Sequence, residues 1–226
     1  MVQSFSLIDA ASLGDLKVYL GRAARVDNGS VRLIGGLGVL AAYTAALTPK
    51  GLLDSTPTVL GLRTFALASS DSFDTVVSIR ALLDRLAQLS VMSNSAEGPI
   101  EVPLPPAETG VAWAGISPPR GGWQALGHLP VQLLESTARA GIAEVAAAVP
   151  ADTGEQLVHR VRSEVWGRDL PESSFGGDDP DRGIPAGAAF CSESLGFLKS
   201  DDEVSIYRSG PWFRLTTRRG HVLARR

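Results

Sequence analysis

Ser30-Val31-Arg32-Leu33-Ile34-Gly35-Gly36-Leu37-Gly38-Val39-Leu40-Ala41-Ala42-Tyr43-Thr44-Ala45-Ala46-Leu47 is the stretch that decides the fold. Two apolar runs, Ser30–Ile34 and Val39–Leu47, flank a glycine cluster, which is the pattern of two strands joined by a tight turn. The competing reading is a phosphate loop. That loop needs a helix N-terminus directly after the glycines, because helix amides hold the anion. Here the glycines lead into Val39–Leu47, which reads as a strand, and no Gly-Lys-Ser/Thr follows. The longest apolar stretch, Leu37 to Leu47, is also far short of the ~20 residues a membrane-spanning helix needs.

Strands continue outward from this hairpin. Thr58–Ala68 reads as a third and Thr75–Val77 as a short fourth. Residues 12–25 precede the hairpin with Leu13, Leu16, Leu20 and Ala23 on one helical face, and Ser12 with Asp15 resembles a capping box. Residues 78–91 follow with Ile79, Leu82, Leu83, Leu86 and Leu89 at the same spacing, and Ser78 is placed to cap them. Helix, antiparallel meander and helix make an α+β layer. Prolines then gather between residues 99 and 130, with one further strand read over Val111–Gly115. Pro118-Pro119-Arg120-Gly121-Gly122-Trp123 reads as a connector and places a boundary near residue 117.

Beyond it the chain is mainly helical. Pro130 opens a helix marked by Val131, Leu134, Ala138, Ile142, Val145 and Val149. Leu157, Val158, Val161, Val165 and Trp166 mark another, and Pro185 opens a third running to about Leu198. A β-meander over 203–208, 211–217 and 221–225 closes the sequence. The expected organisation is an α/antiparallel-β domain over 1–116 and a helical domain with a C-terminal meander over 117–226.

Motifs for known chemistry are sparse. Cys191 is the single cysteine and reads as a small buried apolar residue. His128, His159 and His221 lie on different predicted elements with no metal-ligand spacing, so no metal or cofactor is expected. His159 reads as part of a solvated helix face beside Arg160 and Arg162. Asp178, Asp179 and Asp181 cluster in a Gly-rich loop without the alternating ligands of a calcium loop. Gly-x-Ser-x-Gly is absent, and a nucleophile triad assembled from distant residues leaves no trace in a single sequence.

The charge arrangement stands out. The chain has 226 residues and a formal charge of −3. Residues 164–203 hold ten acids and three bases, whereas 204–226 hold Arg208, Arg214, Arg218, Arg219, Arg225 and Arg226 and no acid. Either these arginines form a binding surface or the acidic segment neutralises them within the fold. The helix before the meander carries one charge, Glu193, and lacks the polar residues with which a winged-helix protein reads bases. Trp212 and Phe213 are neighbours on a strand, so one is expected in the core and the other at the surface or a partner.

Pro57–Arg63, Pro119–Trp123, Ala140–Val145, Val165–Arg168 and Arg218–Leu223 together resemble conserved hypothetical proteins of actinobacteria. The excess of Arg over Lys, which number three, fits a high-GC source. The resemblance implies an intact two-part architecture and carries no activity or catalytic residue with it.

The leading expectation is a cytoplasmic, non-catalytic binding or regulatory protein acting through protein–protein contacts with a second copy or another protein. It has no secretory signal by sequence and no membrane partner. Nucleic-acid binding through a winged-helix-like C-terminal part is the second reading. An enzyme with a site between the halves, using His128, His159 or His221 as base, is the third. Candidate binding residues are Arg208, Trp212, Arg214, Arg218, Arg219 and His221.

Overall fold

A computed structural model describes residues 4–27, 29–51, 53–70, 72–92, 98–108, 113, 116–150, 153–171 and 183–226. The elements in chain order are β1 (Ser4–Leu7), α1 (Ala10–Val26), β2 (Ser30–Gly36), β3 (Val39–Leu47), β4 (Thr58–Ala66), β5 (Phe73–Ser78), α2 (Ile79–Met92) and β6 (Ile100–Pro103). They continue with β7 (Gln124–Leu129), α3 (Val131–Ala148), α4 (Glu155–Gly167), α5 (Gly187–Ser194), β8 (Val204–Ser209), β9 (Trp212–Thr217) and β10 (Gly220–Arg225). The class is α+β. The strand expected over Val111–Gly115 lies outside the described residues except for Trp113.

The chain divides into two compact units. One comprises residues 1–44 and 62–117, the other 45–61 and 118–226. The sequence carries one visible boundary, near 117. The excursion of 45–61 has no compositional mark.

In the first unit the strands run in the order β5-β2-β3-β4, and β1 pairs with β6 in a small second sheet. The β2–β3 register places Gly36 opposite Val39, so the turn is Leu37-Gly38. Leu37 has φ 53° and Gly38 φ 76°, the paired left-handed geometry that suits the twist of a hairpin. Leucine in that geometry costs about 1 kcal/mol, and Leu37 is 96% exposed, so packing returns nothing. Leu37→Asn is therefore expected to stabilise this unit by about 1 kcal/mol. An unchanged or lower urea midpoint would contradict that.

The core of this unit forms where the apolar stripe of α1 meets the buried alternate residues of the strands. Leu13, Leu16, Tyr19, Leu20 and Ala23 are buried, as are Val31, Leu33, Leu40 and Ala42. Tyr19 spans this contact, its hydroxyl 3.2 Å from the Ala42 carbonyl and 2.9 Å from Thr44 Oγ1. The cap of α1 lies one turn earlier than expected, because the Asp9 carboxylate accepts from the Ser12 amide at 2.7 Å. Asp15 turns outward to Arg63. Ser78 caps α2 through the Ala81 amide at 3.4 Å. Both β1 and β6 escape the sequence reading because each is four residues long and its ladder is with the other, distant in sequence.

The second unit contains the four-strand run β10-β9-β8-β7, with α3, α4 and α5 packed on one another and α5 against β10. The expected helix from Pro185 to Leu198 contracts to α5, which ends before Gly196 at φ 69°. Trp166 is the central core residue. It is 2% exposed, stacks on Phe190 with centroids 4.6 Å apart, and fills the space a side chain at Gly141 would occupy. Trp212 and Phe213 are both buried, each 3% exposed. Their opposite orientations hold, but Arg225 lies 4.9 Å over the Trp212 ring and covers the side expected to be open. Because β7 pairs with β8, the meander belongs to a larger sheet and is not a wing appended to three helices. Among the described residues no helix is long and apolar enough to cross a membrane.

Candidate functional site

Strand register sorts the terminal arginines between two faces. Arg214 pairs with Tyr207 on β8 and Leu223 on β10, so these share a face with Trp212, Thr216, His221 and Arg225. Arg208 pairs with Phe213 and lies on the opposite face, its guanidinium 5.4 Å over the Phe213 ring. Arg218 and Arg219 are exposed at the β9–β10 turn. Arg218 Nε is 3.8 Å from Asp202, and Arg226 bonds Asp169. Part of the acidic segment thus offsets part of the basic one. Asp178, Asp179 and Asp181 lie outside the described residues.

Arg214 has the most unusual surroundings. Its guanidinium carbon lies 4.7 Å from the Trp123 ring centroid and 4.5 Å from that of Tyr207. Its Nε is buried without a hydrogen-bond partner. Burial lowers its pKa, opposed by Tyr207. His221 is held by Thr216 Oγ1 at 3.0 Å; burial, and then the charge of Arg214, lower its pKa below the usual histidine value. His221 is therefore neutral at pH 7. His128 is exposed, 3.5 Å from Glu203.

A second constellation lies on α4. An open groove of about 1160 Å³ is lined by Leu53, Asp54, His159, Arg160, Ser163 and Arg168 among others. The loop before β4 lies over this helix face, so His159 is part-buried and not on the solvated face its neighbours imply. Asp54 accepts from the Lys50 amide at 2.7 Å, the Thr56 amide at 2.9 Å and the Thr56 hydroxyl. His159 Nε2 is 2.7 Å from the same carboxylate. Thr56 Oγ1 is 2.7 Å from Ser163 Oγ. A hydroxyl has one proton, and the carboxylate takes that of Thr56, so Ser163 donates to Thr56.

Serine, histidine and carboxylate therefore meet here, which is the condition that favours the enzyme reading. The wiring differs from a triad. A triad base takes the hydroxyl proton on one ring nitrogen and donates to the carboxylate from the other. In this cluster Asp54, at 2.7 Å, and Thr56, at 3.4 Å, meet the same His159 nitrogen. A nitrogen that donates to Asp54 has no lone pair for a hydroxyl proton. The cluster ties the 48–57 loop to α4.

The Lys50 amide and then the Thr56 hydroxyl hold the Asp54 carboxyl well below its usual range, opposed by burial and helped further by His159. Between the two pKa values the unfolded chain binds the extra proton, so this stabilisation is complete above about pH 4 and fades as pH falls below it. Asp54→Ala is expected to destabilise the second unit by roughly 2 kcal/mol at pH 7. It should also flatten the loss of stability below pH 4, as read by denaturant titration at several pH values. An equally steep acid limb in the variant would refute the assignment. Cys191 is buried, and burial raises its pKa so that the thiol stays neutral. Among the described residues no group of three or more His, Cys, Asp or Glu is placed to hold a metal ion.

Of the candidate residues, Trp212, Arg214 and His221 share one face, Arg208 lies on the other, and Arg218 and Arg219 sit at the turn. The sequence reading missed Trp123 and Tyr207 as partners of Arg214, and Asp54, Thr56 and Ser163 as partners of His159. Aromatic residues alternating with arginine near the meander were the available signal for the first group. Nothing linked Asp54 to His159.

A family model described as "Domain of unknown function (DUF8010)" matches residues 1–115, and one described as "Domain of unknown function (DUF8185)" matches residues 118–226. No curated protein matches the chain by sequence. Among solved structures, a DNA polymerase III subunit beta from Borrelia burgdorferi is 8% identical with a TM-score of 0.55, over 99% of this chain and 64% of that one. The beta subunit from DNA polymerase of Streptococcus pyogenes is 10% identical with a TM-score of 0.50, over 99% and 64%. A DNA polymerase sliding clamp from Pseudomonas aeruginosa is 12% identical with a TM-score of 0.49, over 98% and 64%. The chain thus spans 64% of the length of these proteins. At these identities the likeness concerns the fold, which is sliding-clamp-like.

Proposed function

From the premise that the chain belongs to the family described as "Domain of unknown function (DUF8010)", we propose that it is a non-catalytic binding protein of the cytoplasm. It works through protein–protein contacts made by the β8–β10 face that carries Arg214. The observation that supports this most is the Arg214 guanidinium held on the half-exposed rings of Trp123 and Tyr207. Arginine, tryptophan and tyrosine are the residue types over-represented among interface hot spots. The wiring of Asp54 and His159 weighs against chemistry in the groove. The fold adds an analogy, since its solved examples are described as polymerase subunits. The partner is another protein or a second copy of this chain.

A photo-cross-linking residue placed at Ser205, on the same face, tests the reading in living cells. Adducts with a protein are expected from Ser205, and far fewer from a control at Gln132, exposed on α3. Equal yields from both positions, or adducts to nucleic acid, would overturn it.

Nucleic-acid binding is a second reading, because solved structures similar in fold include DNA polymerase subunits and Arg218 and Arg219 are exposed at a turn. It requires binding that weakens steeply with salt and weakens further in the Arg218→Ala/Arg219→Ala variant.

A further inference from the structure

We infer that Arg214 is a receptor for a single carboxylate, and that the face around it docks an acidic side chain, Asp or Glu, of a partner protein. The inference rests on the protein-binding reading above and names the chemistry of the partner.

Six arginines pair with a carboxylate among the described residues. Arg32 bonds Asp74, Arg63 bonds Asp15, Arg168 bonds Glu144 and Arg226 bonds Asp169. Arg214 has none among the described residues. It is nonetheless partly withdrawn from water, with Nε buried and unpartnered. A desolvated cation without a counter-charge is costly to keep, and an incoming carboxylate returns what burial removed.

The two rings also fix the guanidinium plane. An unconstrained arginine loses side-chain entropy when it is pinned by a ligand, whereas one already laid on two rings loses less. The planar fork matches a carboxylate through two parallel hydrogen bonds.

The same surroundings disfavour phosphate. A phosphate group or a nucleic-acid backbone calls for several converging cations. On this face His221 is neutral at pH 7, Lys is absent from residues 204–226, and the one other cation, Arg225, lies over a separate ring, Trp212. Arg214, flanked by its own two aromatic rings, suits one negative charge flanked by apolar residues.

The test uses the intact protein and four probes. Three are capped pentapeptides carrying glutamate, glutamine or phosphoserine between two leucines; the fourth is an oligothymidylate. The readout is the side-chain Nε–H resonance of Arg214 in a nitrogen-15 spectrum, assigned by its loss in Arg214→Lys. The glutamate peptide is expected to shift this resonance saturably and to bind at least tenfold more tightly than the glutamine peptide. Arg214→Lys and Tyr207→Leu should each weaken it severalfold, with thermal melting confirming that both are folded, whereas Arg219→Ala should not. An unmoved resonance, equal binding of the glutamine peptide, or tighter binding of phosphoserine or oligothymidylate would overturn the inference. If Ser205 still cross-links to a protein in that event, protein binding stands and only the carboxylate role of Arg214 falls. If instead the glutamate peptide binds but Ser205 yields no protein adduct, the reverse holds.

Discussion

Trp166→Ala is expected to destabilise the second unit by about 3–5 kcal/mol, the range for removing a fully buried large aromatic. Two features put it at the upper end. The ring is stacked on Phe190 of α5. It lies against the backbone of α3 at Gly141, where a β-carbon would come within 2.3 Å of a ring carbon. Three helices thus converge on one side chain, and none can close over the hole without moving the other two. Gly141→Val attacks the same contact from the other side, by overpacking. The two changes share one space, so the double variant should be less unstable than the sum of the singles. Strict additivity in denaturant unfolding would mean that the ring and the glycine are not in contact.

Arg214→Ala is expected to weaken partner binding roughly thirtyfold, the equivalent of about 2 kcal/mol for a central interface anchor. Folding should suffer less, because removing an Nε that has no hydrogen-bond partner orphans no acceptor and the loss is confined to the two ring contacts. The separation between the two effects is the informative part. A residue that mattered only for packing would lower stability and binding together. Arg214→Lys keeps the charge but loses the planar fork, so it should recover stability and only a fraction of the affinity. Full recovery of affinity by lysine would show that charge alone matters.

The hairpin at 30–47 was legible because alternation, glycine placement and length all agreed on it. The helices α2, α3 and α4 were legible for the same reason: each has at least three turns of apolar spacing. Where structure is made by distant pairing, sequence was silent. Ser4–Leu7 is a strand because Ile100–Pro103 lies beside it, and neither carries enough pattern alone. Residues 45–61 pack with the second unit although their composition continues that of the first. Within the site, counting charges found Arg214. What sets it apart from Arg208 is the register of β8 on β9 and the approach of Trp123 from before β7, and no local pattern encodes either. Asp54 and His159 are 105 residues apart in sequence, and each alone looked like an ordinary surface residue.

The proposed function is binding through the Arg214 face, with no chemistry in the α4 groove. The most direct measurement compares two variants in fresh extract of the native cells, Arg214→Ala at the face and Ser163→Ala in the groove, by the native size of the tagged protein. Wild type and Ser163→Ala are predicted to run together in a complex larger than one chain, and Arg214→Ala to run as the free protein. A complex that survives Arg214→Ala, with loss of cellular function in Ser163→Ala, would contradict the account.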